Sequence, residues 1–238
     1  MIDIKLLEQL CLCNGISGDE GNVRNLIINE IKDCADDIKT DNLGNLIVFK
    51  KGKKSAKSKL MVSAHMDEVG LMVTDITSDG YLKFDEVGGI DRRVLPGKRV
   101  CVGRNGLNGV IGVKPIHLTN GDEKTAVPKM NDMYIDIGAE SREDALKYVN
   151  YGDGVNFEGD FKINGKTVVT KALDDRFGCY VLINLMKSEP EYDMYFTFVV
   201  QEEVGLRGAR PAAFTVNPDF ALVIESTTAA DVAEVDAS

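Results

Sequence analysis

The feature that most constrains this chain is a change of texture near Gly70 and a change back after Val168. Upstream, Val23, Leu26, Ile27, Ile31 and Cys34 recur at helical spacing, and Asn45–Phe49 and Leu60–Ala64 are short apolar runs that read as strands. Ser17-Gly18-Asp19-Glu20 has the S-x-x-E spacing of a capping box, which predicts a helix over 18–36. From Gly70 the chain becomes short apolar runs cut by turn residues. GLMVTDITSDGYLKFDEVGG turns at Ser78-Asp79-Gly80, KRVCVGRNGLNGVIGV turns at Arg104-Asn105-Gly106, and MYIDIG and GVNFEGDFKINGKTVV continue the pattern. A helix is then predicted over Ala172–Met186, with strands over Tyr195–Val200 and Phe220–Ile224. A β-rich block bracketed by α/β sequence predicts a β-domain, residues 70–168, inserted into a loop of an α/β domain made of 1–69 and 169–238.

Composition narrows the function classes. The 238 residues are 44% apolar and 28% charged, a balance that can bury a real core. A formal charge of −10 argues against a non-specific hold on nucleic acid, which needs a basic face. MIDIKLLEQL lacks the basic and apolar regions of a signal peptide, and no apolar run is long enough to span a bilayer, so a cytoplasmic protein without membrane contact is expected. The five cysteines are odd in number and scattered, which predicts reduced thiols. Cys11-x-Cys13 lacks the second pair of a thiolate metal site and reads as helix packing.

Four clusters could do chemistry, each directly after a predicted strand or at a helix start. His65-Met66-Asp67 follows the strand LMVSA; in extended chain the two side chains point the same way, so Asp67 could accept from one ring nitrogen and leave the other for a metal. Asp174 and Asp175 open the second helix, where one could ligate while the other caps or pairs with Arg176. Glu202 and Glu203 end an apolar strand; Gly205 and Gly208 predict a loop there, in which both carboxylates can face one cavity. One could bind a metal and the other take a proton from water. Glu225 ends the last strand.

Together these clusters resemble the M42 family of metallo-aminopeptidases. The resemblance lies in His65-x-Asp67, Ala172-Leu173-Asp174-Asp175-Arg176-x-Gly178, Gln201-Glu202-Glu203-Val204-Gly205-x-Arg207-Gly208-Ala209 and Glu225, with the earlier Gly15-Ile16-Ser17-Gly18-x-Glu20 and Asp41-x-x-Gly44-Asn45, in order along the whole chain. It implies a zinc-peptidase-like α/β/α sandwich with an inserted β-barrel-like dimerisation domain. It also implies two divalent ions per subunit, zinc or cobalt, with Asp174 bridging, His65 and Glu225 on the first and Glu203 on the second. Glu202 would be the general base and Asp67 the partner of His65. Many members carry aspartate where Glu225 stands. Substrates would be peptides cut at the N-terminal residue, and the assembly a homo-oligomer of dimers building a dodecamer. The resemblance further implies a histidine ligand from beyond residue 238, so the C-terminal part of the sandwich is expected to be missing. His117 in VKPIHL reads as structural and not as its replacement.

Rival readings fare worse. A glucanase needs carboxylates flanking the bond at about 5–9 Å, which adjacent Glu202 and Glu203 suit poorly, and the chain has no tryptophan for sugar stacking. G-x-S-x-G and phosphate-binding glycine motifs are absent. The rival from another class is a non-catalytic metal-binding or assembly protein.

Overall fold

The computed structural model describes residues 3–121 and 126–229. A five-stranded sheet runs in the order β1 (Asp37–Thr40), β2 (Leu46–Lys50), β12 (Met194–Val199), β3 (Leu60–His65), β13 (Phe220–Val223). β3, β12 and β13 are parallel, whereas β1 and β2 run antiparallel to their neighbours. Alternation along the strands sorts the side chains: Phe196 and Phe198 face one side of the sheet with Val48 and Val62. Helices α1 (Ile4–Leu12), α2 (Gly21–Ile31) and α4 (Leu173–Lys187) cover that side, burying Leu6 and Leu10, Val23 and Ile27, and Leu182 and Ile183 against it.

Among the described residues the opposite side is covered by α5 (Ala209–Val216) alone, whose Ala213 and Val216 pack on Ile47 and Met61. Phe214 is 87% exposed, and on the edge strand β13 Phe220 is 72% exposed and Leu222 57%. That uncovered face fits a sandwich whose second helical layer is incomplete.

Between β3 and α4 the chain closes a barrel, β4-β5-β8-β7-β6-β9, from β4 (Gly70–Ile76), β5 (Leu82–Val87), β6 (Arg99–Val102), β7 (Leu107–Val113), β8 (Met133–Asp136) and β9 (Gly154–Phe157). Leu71, Val73, Phe84, Val100, Ile111 and Ile135 fill it, with Ala145 of the short α3 (Arg142–Ala145). β10 (Lys162–Asn164) and β11 (Thr167–Val169) form a separate hairpin outside the barrel. Ile16 plugs the junction with the sheet. It lies so close to Gly70 and Gly154 that a Cβ on either would sit 2.2 Å or 2.9 Å from its side chain.

Two sequence expectations are corrected. The helix expected over 18–36 starts at Gly21 and ends at Ile31, and Asp37–Thr40 beyond it is β1. The capping box does not form. Ser17 turns its hydroxyl to Asp67, and Glu20 accepts from the N–H groups of Gly18 and of the distant Gln201, so both side chains are engaged away from the helix start. GVNFEGDFKINGKTVV forms short strands as expected, the last barrel strand followed by the separate hairpin. The short helix α5 was not legible as a helix in the sequence, and α1 only through the helix-packing reading of Cys11. The span 169–238 extends past the described residues at its end.

Candidate metal centre

Parallel strands end at the same edge of a sheet, and here three of them deliver the candidates. His65 is the last residue of β3, paired in register with Val199 of β12, while Val223 of β13 pairs with Ser63. Glu202 and Glu203 lie in the loop after β12, and Glu225 lies two residues after β13. Asp174 arrives from the other direction. It and Asp175 have non-helical backbone angles, so both carboxylates stand on the approach to α4 and not on its regular turns.

His65 is the pivot, its side chain 2% exposed. Its Nε2 lies 3.1 Å from Asp174 Oδ1, 3.5 Å from Glu225 Oε1 and 3.8 Å from Glu202 Oε2. The donor atoms of His65, Asp174 and Glu225 all fall within 4.8 Å of one another. The carboxylate of Glu203 is not in that close group, although its charge reaches His65 and Asp174. On the other ring edge Nδ1 is 3.1 Å from the backbone oxygen of Asp67 and 3.4 Å from its Oδ1. The ring contact expected with the Asp67 carboxylate is therefore made first with its carbonyl. The carboxylate itself, fully buried, accepts from Ser17 Oγ at 2.5 Å and from the N–H groups of Glu202 and Glu203 at 3.0 and 3.1 Å.

The electrostatics follow from this crowding. Burial resists protonation of His65, but the hydrogen bond and charge of Asp67, with the charges of Asp175 and Glu225, outweigh it and raise its pKa to about 10. Burial pushes Asp67 up, and its bonds from His65, Ser17 and Glu202 N–H more than compensate, holding it below the ordinary carboxylate range. Glu203 is raised to about 7 by burial and by Asp174, Asp67 and Glu202, against the pull of His65. Glu225 is raised as well, chiefly by burial. One imidazole facing several crowded carboxylates is a donor set short of positive charge, and nitrogen plus carboxylate oxygen suits a divalent zinc, cobalt or manganese ion. The residues fit a cation.

The sequence profile of the M42 glutamyl aminopeptidase family matches residues 44–238. This chain belongs to the M42 peptidase family. A sequence from Acetivibrio thermocellus with a provisional aminopeptidase name is 47% identical over 231 residues, covering 96% of this chain and 67% of that one. An aminopeptidase from the archaeon Desulfurococcus kamchatkensis superposes with a TM-score of 0.90 at 36% identity, covering 98% of this chain and 65% of that one. The Pyrococcus horikoshii TET1 peptidase, which can assemble into a tetrahedron or a large octahedral shell, superposes with a TM-score of 0.85 at 44% identity, covering 98% and 72%. The chain thus spans about two thirds of the length of these relatives and neighbours.

The carboxylates around His65 have further supports, of which sequence reading expected the Asp175 cap and missed the others. Asp175, fully buried, accepts from His65 N–H at 3.3 Å and from Gly178 N–H at 3.0 Å, so it caps α4 and anchors the end of β3. Burial raises its pKa to about 7. It does not pair with Arg176. That guanidinium, also fully buried, turns away to Glu68 and to the carbonyls of Leu10, Cys13, Gly15 and Met66. Ser17 is another, and its S-x-x-E spacing pointed to a cap and not to Asp67. His117 sits exposed in the 3-10 turn Ile116–Leu118 between barrel strands and takes no part in the close group. Cys11 is buried on α1 with its thiol pushed up to about 11 by burial, as packing requires and a thiolate ligand does not.

A cation entering this centre displaces protons. In the metal-free chain Glu203 binds one below about pH 7, and His65 holds one throughout the neutral range. Zinc affinity is therefore expected to fall about tenfold per unit of pH as pH drops toward 7, and up to about a hundredfold per unit below 7, where Glu203 adds its proton. Isothermal titration with zinc at three pH values checks this; a flat profile would place zinc elsewhere.

Proposed function

We propose that this chain provides the larger part of a metal-dependent aminopeptidase centre that removes N-terminal residues from peptides. One observation carries the reading: the ends of three parallel strands and the start of α4 bring His65, Asp174, Glu225 and Glu202 together around one buried imidazole nitrogen. His65, Asp174 and Glu225 would hold one divalent ion, zinc or cobalt. Asp174 with Glu203 would face a second. Bound there, the cations would supply a Lewis acid that polarises the scissile carbonyl and makes an attacking water more acidic.

The protein's own groups do the rest. Asp67 holds the His65 ring edge-on through its carbonyl and carboxylate, so Nε2 stays aimed at the carboxylate cluster. Glu202, its backbone tied to Asp67 and its side chain only 27% exposed, is the group left to take a proton from water and return it to the leaving amine. Residues 70–168 are assigned to dimerisation through the barrel, with dimers building a dodecamer in the cytoplasm. The assembly of the TET1 neighbour supports the oligomer, and no helix among the described residues is long and apolar enough to cross a membrane.

Glu202→Gln tests the chemistry. Peptide hydrolysis is expected to fall by about 10²–10⁴-fold while zinc stoichiometry stays at the parental value. A metal-binding or assembly protein without turnover is the second reading, and the uncovered apolar face of α5 and β13 favours it. It prevails if the zinc-loaded parent chain cleaves no peptide under conditions where zinc binds fully.

A further inference from the structure

The loop Val200–Gly208 carries both Glu202 and Glu203, and the two have different tasks in the reading above. Adjacent residues with different tasks need the register of their loop held, because a slip of one position exchanges them. Here four successive backbone N–H groups each donate to a buried side-chain oxygen from elsewhere in the chain. Val200 N donates to Asn45 Oδ1 at 2.9 Å and Gln201 N to Glu20 Oε1 at 3.1 Å. Glu202 N and Glu203 N donate to the two carboxylate oxygens of Asp67 at 3.0 and 3.1 Å. Asn45 and Asp67 are fully buried and Glu20 is 4% exposed. Gln201 has a φ of 55°, a left-handed conformation that a residue with a side chain holds only where its surroundings impose it.

Asn45 also grips the far end of the loop. Its Nδ2 donates to Gly208 O at 2.9 Å and to Asp41 Oδ2 at 2.7 Å, while Gly208 N returns to Val200 O at 3.0 Å. Asp41 in turn accepts from the N–H groups of Leu43, Gly44 and Asn45, which seats the amide one way round. On the other side Glu20 Oε1 accepts from Gly18 N at 2.7 Å. Two sequence motifs with no ligand among them, residues 15–20 and 41–45, thus close on the same loop.

We propose that Glu20 and Asn45 are positioning residues that set the register of the Glu202–Glu203 loop at the metal centre. The proposal rests on the metal-dependent reading for its consequence and on the hydrogen bonds for its geometry, and the two can fail separately. Hydrogen–deuterium exchange on the metal-free full chain reads the geometry, and zinc titration reads the consequence. Glu20→Ala removes an acceptor that Glu20→Gln keeps. In Glu20→Ala the amides of 200–203 are expected to exchange about tenfold faster, with β3 and the barrel strands unchanged, and Glu20→Gln is expected to stay within about twofold of the parent. Asn45→Ala is expected to release the same segment together with Gly208. Zinc affinity falls about tenfold in the two alanine variants and returns in Glu20→Gln.

Unchanged exchange at 200–203 in both alanine variants overturns the proposal. So does a rise spread evenly along the chain, or an equal loss in Glu20→Gln, because either shows a role in general folding and not in this loop. Faster exchange at 200–203 with unaltered zinc affinity also overturns it, since the loop register then does not matter to the centre. A parent chain that binds no zinc at all sinks the metal reading instead.

Discussion

Replacing His65 with alanine is expected to lower zinc affinity by at least about a hundredfold, the largest effect of any single change at the centre. The reason is geometric. Asp174, Glu225 and Glu202 gather around one atom, His65 Nε2, at 3.1, 3.5 and 3.8 Å, and no second histidine among the described residues lies near them. Without the imidazole, three carboxylates remain, two of them half-exposed, and their mutual repulsion opposes closing on an ion. The fold is expected to survive, because Asp67 keeps its bonds from Ser17 and from Glu202 and Glu203 N–H whether or not the ring is present. Zinc titration after chelator treatment, paired with a thermal melt, separates the two quantities. An affinity within threefold of the parent would mean that the centre is not built on His65.

The second large effect is on stability. Arg176→Leu is expected to cost about 3–5 kcal/mol. The guanidinium is fully buried and donates to Met66 O at 2.8 Å, Leu10 O at 2.5 Å, Cys13 O at 2.7 Å and Gly15 O at 3.3 Å, with Glu68 Oε1 at 3.4 Å. Leucine fills part of the volume and satisfies none of those carbonyls, each of which sits where water has little access. Glu68 itself keeps Lys171, at 2.7 Å, so the penalty falls mainly on the backbone groups that join the end of α1 to the end of β3. Urea unfolding of the variant against the parent measures it. A loss below about 1 kcal/mol would show that water reaches these carbonyls and that Arg176 is not the tie it looks to be.

Much of the frame was legible before the structure. Apolar runs stopping at His65, Glu202 and Glu225 marked strands with chemistry at their ends, and three of those strands are parallel with those ends aligned. Glycine-punctuated runs from Gly70 marked hairpins, and they close into a barrel. The predicted strand over Tyr195–Val200 and the predicted helix over Ala172–Met186 lie within a residue of β12 and α4, since both are driven by local periodicity and burial.

What was misread shares one cause. Ser17 and Glu20 have capping-box spacing, yet Ser17 bonds Asp67 fifty positions on, and Glu20 bonds Gln201, 181 positions on. Asp175 and Arg176 are neighbours of opposite charge, yet each takes partners on other segments. Spacing rules describe what nearby residues can do for one another and contain no term for a better partner brought in by folding.

The order of residue types along this chain determined the α/β frame, the inserted barrel and the list of candidate ligands, because strand and turn chemistry are local. Which oxygen meets which hydrogen was decided only by the packing of strands β3, β12 and β13 and of the loops around them. Four successive N–H groups of the loop that carries Glu202 and Glu203 are held by three buried side chains from three distant segments, and no window of sequence contains all three.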